Sequence, residues 1–357
     1  MIQVITQSYL NDSALEALAF KLRLLKSKIV ACDLGSSSIR LASFWRGRAD
    51  GNLNAMMIPH TEHWTVLESV RRYVGTSSPD LFVLVSTGCV ENGRVTPTNG
   101  LTEALREADL ADAANGANVI ILNDAEGAAY QTLWMPWEGN VQPIWPHPAS
   151  RPDPQGDMLH VVVGGGLGAC RRAAGSSRVV ATEMGHPQPL SNHHPDDAII
   201  HELVQRAGLR PSCELAGAGA IGLSTAYAAL SGKLTYHPQV DFRSASVPDI
   251  YRLARQGDLI ALRAVAKQAR ELGAWLGTQA LAHFAGGIVI DSDAVLAQLD
   301  LLVESGLIEA IEAAVGEYGS NSRQMAMRTP IGVITSTMEM GLLGGARYGL
   351  LHLAGQI

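Results

Sequence analysis

Short apolar runs that stop abruptly at polar or glycine-rich turns recur along this chain. Lys28-Ile-Val-Ala-Cys-Asp33, Leu81-Phe-Val-Leu-Val85, Val119-Ile-Ile-Leu122, Met158-Leu-His-Val-Val-Val163, Ile288-Val-Ile290 and Pro330-Ile-Gly-Val-Ile334 have the length and β-branched content of buried strands. Helical signals lie between and around them. Asn11, Asp12 or Ser13 can cap a helix carrying Leu15, Leu18, Phe20, Leu22, Leu24 and Leu25, and Thr102 a helix running through Leu105. The turn His193–Asp197 caps a helix over Ala198–Arg206, and Pro248-Asp249 a short one. Asp258 caps a long helix in which Leu262, Val265, Ala269, Leu272 and Leu276 recur at three- and four-residue steps. Val295–Val315 reads as helical, and a closing helix begins at Gly341. Alternation of strands and helices indicates an α/β protein.

Two of the apolar runs share a further feature. The first passes through Asp33 and the turn Gly35-Ser36-Ser37-Ser38 into a second strand, where Arg40, Ala42 and Phe44 alternate with Leu41 and Ser43. The other passes through Gly164-Gly165-Gly166-Leu-Gly168 into Ala-Cys-Arg-Arg172. The two look like one strand–turn–strand module used twice. Such turns can offer backbone N–H groups and hydroxyls to a phosphate, with Asp33 placed to hold Mg²⁺ through water; an ordinary hairpin has the same outline. Asn123-Asp124, where the third run ends, is open to two readings as well. It is a helix cap, or a carboxylate held at the carboxyl end of a buried strand, where α/β proteins meet their ligands.

With 357 residues, two domains are expected, and the Pro- and Trp-rich stretch Leu133–Asp157 reads as an extended loop passing between them. Hydrophobic residues at 47% and charged residues at 17% fit a compact protein. The net charge of -7, without a Lys/Arg-dense tract, argues against a nucleic-acid partner. Cys32, Cys89, Cys170 and Cys213 form no C-x-x-C pair, so neither a zinc knuckle nor a redox motif is visible, and a reduced, cytoplasmic setting is expected. The histidines around His193-His194 fit no common metal spacing. No apolar run reaches the length of a membrane span, and no secretory signal opens the chain. Residues 1–28 read as an appended helix packed on the body or on a partner subunit, with Lys21, Arg23, Lys26 and Lys28 near its C-terminal end.

From about Ile29 to the C-terminus, these blocks in this order resemble the bacterial glucokinases of the hexokinase–actin superfamily. Asp33-Leu-Gly-Ser-Ser-Ser is similar to the family's D-x-G-G-T-N phosphate turn, and Gly88-Cys-Val-Glu-Asn-Gly-Arg-Val with Thr98-Asn99 to its G-P-V-x-x-G-x-V…T-N block. Ile121-Leu-Asn123-Asp124 matches I-x-N-D, whose aspartate is the catalytic base. Gly164-Gly-Gly-Leu-Gly168 resembles the second phosphate turn, G-T-G-L-G, and Glu183-Met-Gly-His186 the E-x-G-H whose Glu and His hold sugar hydroxyls. Gly341-Leu-Leu-Gly matches the closing G-L-x-G.

The resemblance implies a two-domain actin-like ATPase (ribonuclease H-like) hexokinase fold with an interdomain cleft. Its parts would be an N-terminal helical extension (1–28), a small α/β domain (29–133, completed by the C-terminal helix 341–357) and a large α/β domain (134–340). It implies ATP and Mg²⁺ as cofactors and glucose as acceptor, with Asp124 as general base. Asn99, Asn123, Glu183 and His186 would bind the sugar. Asp33, Gly35, Ser36, Ser37, Ser38, Gly164, Gly165, Gly166 and Gly168 would surround the nucleotide. A homodimer is expected by the same analogy.

Four positions depart from the pattern. Ser36-Ser37-Ser38 replaces G-T-N, and Gly165 replaces a threonine, removing a hydroxyl. Asp291-Ser292-Asp293 stands where the family has A-G-G beside ribose and adenine; its carboxylates either repel polyphosphate or, through Asp291, hydrogen-bond ribose. Ser212 occupies the position of a sugar-binding glutamate, with Glu214 two residues away to substitute. One reading is therefore ATP-dependent phosphorylation of glucose to glucose 6-phosphate. Another is a degenerate glucokinase-like protein that binds sugar or nucleotide and regulates with little or no catalysis. A third is phosphorylation of another hexose or amino sugar. No helix-turn-helix and no cysteine zinc motif point to the related ROK group of sugar-responsive repressors.

Overall fold

The computed structural model describes residues 3–4, 10, 12–35, 38–49, 56–59, 65–96, 104–132, 135–145, 152–153, 155–182, 184–190, 194–241, 246–282, 284–317, 320–336 and 338–357. The chain divides into two compact units. One comprises Met1–Met135, Ser177–Ala181 and Ser336–Ile357; the other comprises Pro136–Ser176 and Thr182–Thr335.

The first unit is organised on a sheet whose middle strand, Lys28–Leu34, pairs antiparallel with Ser38–Trp45 and parallel with Leu81–Ser86. Asn118–Asn123 continues the parallel side, and Met56–Pro59 followed by Gln3–Val4 extends the antiparallel side. All of Leu81–Ser86 is buried, as expected of a strand covered on both faces. The pleat assigns alternate residues to opposite layers. Val30, Cys32, Leu34, Phe82 and Leu84 face the core that includes Val66–Val74 and Glu107–Ala113. On the other face, Ile29, Ala31, Val83 and Val85 meet the glycines of the C-terminal helix Met340–Leu353. Asp33 belongs to this second set.

Asp12 caps the helix Ser13–Lys21 by accepting from the Ala14 amide at 2.9 Å, and the helix buries Leu15, Leu18 and Ala19. The other carboxylate oxygen of Asp12 accepts from Arg347 Nη2 at 2.7 Å and from Gln131 Nε2 at 2.9 Å. Arg347 is fully buried, and its Nη1 donates to the Gln131 carbonyl at 3.1 Å. The N-terminal segment is thus bonded to both the C-terminal helix and the helix Asp124–Thr132.

The second unit repeats the hairpin topology. Met158–Val163 pairs antiparallel with Leu167–Arg172 and parallel with Gly287–Asp291, which pairs with Ile331–Ile334 and so leads to Val141–Trp145. The helix Leu259–Ala280, capped by Asp258, buries Val265, Leu272, Trp275 and Leu276 against this unit's core.

Several local expectations need correction. Leu133–Asp157 is not loop throughout: Val141–Trp145 is an edge strand, and Pro143 is tolerated at its register shift. Leu105 lies in the two-residue strand Leu105–Arg106, and the next helix starts at Glu107; Thr102 lies outside the described residues. The first helix ends at Lys21, before Leu24 and Leu25, and its Phe20 is 71% exposed. Val295–Val315 is broken into Asp293–Ala297, Leu299–Glu304 and Leu307–Gly316, with Gly306 in the left-handed region at the last break. His194, within the expected turn, caps its helix, which starts at Pro195 instead of Ala198.

Candidate active site

In the first unit, three features converge at the carboxyl ends of the parallel strands. Val85 is the register partner of both Asp33 and Leu122, so Asp33 and the Asn123-Asp124 pair leave the sheet on one edge. The strands bearing them are about 10 Å apart, with one strand between. Asp124 is the first residue of the helix Asp124–Thr132, and its Oδ1 accepts from the Ala125 amide at 2.9 Å. Burial raises its pKa to about 6, with the Asp33 charge adding to the effect and the Ala125 N–H working against it. Asn123 donates from Nδ2 to the Gly88 carbonyl at 3.0 Å and accepts the Ala125 N–H on Oδ1 at 3.0 Å. It therefore ties the strand end to the Gly88 segment, while its amide retains a second N–H and a second lone pair by inventory.

Asp33 is buried and raised above the ordinary carboxylate range by that burial, with Arg40 pulling it back. Arg40 Nη2 lies 2.9 Å from Asp33 Oδ2, and Arg40 Nη1 lies 2.7 Å from Glu339 Oε2. A side chain at Gly35 would meet Arg40 Nη2 at 2.7 Å, and one at Gly341 would meet Asp33 Oδ2 at 2.5 Å. The guanidinium thus lies against Gly35, and the start of the C-terminal helix against Asp33. Among the described residues no three His, Cys, Asp or Glu side chains gather as a metal cage. A single carboxylate suits a Mg²⁺ ion that keeps most of its ligands as water and phosphate.

In the second unit, backbone hydrogen bonds hold the turn after Val163. Gly164 N donates to the Gly166 carbonyl at 3.2 Å. The carbonyls of Gly164 and Gly165 accept from Ala220 N at 3.0 Å and Ile221 N at 2.8 Å. They take up amides at the start of the helix Ala220–Leu230, which has no side-chain cap. Gly168 lies in the return strand, opposite Val162. Glu214 opens the π-helical turn Glu214–Ala218 and reaches both features: its Oε2 is 3.2 Å from His186 Nε2, and a Cβ at Gly166 would land on its Oε1. Ser212 accepts from Leu215 N at 3.2 Å, a local turn contact.

Asp291 ends its strand, with Oδ2 3.9 Å from Nε2 of the buried His160, whose pKa burial lowers to about 3, so the imidazole is neutral. Ser292 caps the next helix through Val295 N, and Asp293 sits in that helix's first turn, where an acid is favoured by the dipole. Part of the D-S-D departure therefore has a local structural reason.

The structure thus groups Asp33, Gly35, Ser38, Asn123 and Asp124 in one unit, and Gly164, Gly165, Gly166, His186 and Glu214 in the other. Ser36, Ser37, Asn99 and Glu183 lie outside the described residues. Arg40 and Glu339 were absent from the sequence-based set. Arg40 was within reach of that reading: a hairpin turning at 35–38 places residue 40 opposite residue 33. Glu339, nearly three hundred residues away, gives no local signal.

A glucokinase family model matches residues 30–352. A search of curated proteins finds no match. Among solved structures, a glucokinase from an Antarctic psychrotroph is 23% identical, with a TM-score of 0.66 over 90% of this chain and 98% of its own. A glucokinase from Balamuthia mandrillaris, solved with glucose, is 18% identical, with a TM-score of 0.67 over 94% and 98%. A ROK family glucokinase from Streptomyces griseus, solved with glucose and AMPPNP, is 16% identical, with a TM-score of 0.51 over 90% and 99%. The fold is the two-domain actin-like fold of hexokinases, and the chain belongs to the glucokinase family.

Proposed function

We propose that this protein transfers the γ-phosphoryl group of ATP to the 6-hydroxyl of glucose, with Asp124 as general base. The observation that carries the reading is the placement of Asp124 at a strand end and helix start, on the same sheet edge as the Asp33 turn, with burial raising its pKa to about 6. A base of that pKa is ionised at neutral pH yet basic enough to take a hydroxyl proton as the oxygen becomes nucleophilic. The sugar oxygen bonds to phosphorus, its proton passes to Asp124, and the bond to the ADP oxygen breaks with its electron pair leaving on ADP. The Streptomyces griseus neighbour's glucose and AMPPNP support this acceptor and a nucleotide donor.

The family's motifs assign Asn99, Asn123, Glu183 and His186 to sugar hydroxyls. Glu214 replaces the glutamate missing at Ser212, a role supported by its contact with His186. Asp33 would hold Mg²⁺ through water, and that ion would neutralise phosphate charge. The glycine turns and Ser36–Ser38 would hold phosphates through N–H groups and hydroxyls.

Purified protein with glucose and Mg-ATP should release glucose 6-phosphate. Asp124→Asn should lower kcat by about 100- to 10,000-fold while leaving glucose affinity near wild type. In the wild type, kcat/KM should fall as the pH drops through about 6, because the base is lost on protonation. Measurable glucose binding without turnover of any hexose would overturn the kinase reading in favour of a sugar-binding regulator.

A further inference from the structure

Glu271 lies on the long helix Leu259–Ala280 and is fully buried, as is Lys267 one turn earlier. Two carboxylates flank the lysine: Nζ is 2.9 Å from Glu271 Oε2 and 3.0 Å from Asp197 Oδ1. Arg263 holds Asp196 next door through Nε at 3.1 Å and Nη2 at 2.5 Å. A buried charge set of this kind is a poor device for stability alone, because apolar residues of the same size would fill the volume without the desolvation cost. Its connections suggest what it does.

The second carboxylate oxygen of Glu271, Oε1, accepts from Leu190 N at 2.7 Å. Burial first, and then the nearby Glu271 charge, raise the pKa of the Cys213 thiol. Cys213 in turn joins the same two segments, its N donating to the Pro187 carbonyl at 3.0 Å and its Sγ to the Gln188 carbonyl at 3.3 Å. Pro187 follows His186 in sequence, and Glu214 follows Cys213. Below Glu214, Gly217 admits the long helix so closely that a Cβ there would sit 3.1 Å from Glu271 Cβ. One buried carboxylate therefore fixes the segment that follows His186 and the turn that carries Glu214, whose side chains meet at 3.2 Å.

We infer that Glu271 is a positioning residue for sugar binding: it sets the His186–Glu214 pair without touching substrate. This rests on the sugar-site assignment proposed above. The lysine holds one oxygen of Glu271, which leaves the other aimed at the Leu190 amide.

The test is Glu271→Gln in the full chain, which keeps the side chain's size and leaves Lys267 with Asp197. KM for glucose, and Kd for glucose by calorimetry, should rise roughly tenfold, the cost of weakening one charge-assisted hydrogen bond at the site's support. KM for ATP should stay within about twofold. Combined with His186→Ala, the two effects on glucose affinity should be strongly non-additive, since both act through the same pair. Asp196→Asn, whose carboxylate holds Arg263 instead of either segment, should leave glucose affinity unchanged even if it lowers Tm.

Cys213→Ala supplies a second, charge-neutral perturbation should Glu271→Gln fail to fold; it should weaken glucose binding and spare ATP. Unchanged glucose affinity in a folded Glu271→Gln or Cys213→Ala variant overturns the inference, as does an equal rise in both KM values. The wild-type arm separates the two proposals. Turnover with an indifferent Glu271→Gln variant keeps the kinase reading and removes this inference. Glucose binding without turnover, weakened by Glu271→Gln, does the reverse. A wild type that neither binds nor phosphorylates a hexose overturns both.

Discussion

The two hairpins, Lys28–Trp45 and Met158–Arg172, share one topology and are closed by opposite means. Around the first turn, Arg40 bridges Asp33 and Glu339, and Gly341 lets the C-terminal helix approach the aspartate. Around the second, two glycine carbonyls accept amides from the start of a helix, and a glutamate folds over Gly166. A charged closure can counter a metal ion and its phosphates. A backbone closure can follow a phosphate's shape, with Glu214 the charged group beside it. The same scaffold thus closes its two turns in two chemically different ways.

The first unit also holds the ion pair of Asp12 with the buried Arg347, and the largest effect is expected there. Asp12→Ala removes both the helix cap and a carboxylate from the fully buried Arg347, so urea unfolding should show a loss of about 3–5 kcal/mol. Arg40→Met should cost less, about 1.5–3 kcal/mol, because Arg40 is partly exposed. That difference from wild type should shrink at about 1 M salt, where exposed charges are screened. A salt-independent loss would mean that the guanidinium acts through packing.

At the second hairpin, Gly166→Ala should push Glu214 aside and raise the glucose KM about tenfold, with little effect on Tm. An unchanged KM would detach Glu214 from sugar binding. The smallest effect on stability belongs to Asp124. Its folded pKa lies above the ordinary carboxylate value, so its ionisation opposes folding as the pH rises through about 6. Asp124→Asn should therefore raise Tm at pH 8, and the gain should fade towards pH 4.

The alternation of strands and helices, both hairpins and the Asn123-Asp124 strand end were readable from the chain, because each rests on a local period or a local turn. Asn92-Gly93 shows the limit of such signals at its best: both residues take positive φ and join Glu91 to Arg94 as the dipeptide suggests. Val141–Trp145 was hidden because prolines mask an edge strand whose pairing comes from Ile331–Ile334, far along the chain. What residues 1–28 do was equally hidden, since the partner of Asp12 is residue 347.

The sequence by itself determined the family, the α/β order and the pair of turns, because motif spacing and hydrophobic period are properties of neighbours along the chain. Only the tertiary structure decided which polar groups meet. Arg40 with Glu339, Asp12 with Arg347, His186 with Glu214 and Glu271 with Leu190 are brought together by packing across tens to hundreds of residues. Arg347 and Glu271 are held in buried surroundings, and burial is a property of the folded molecule.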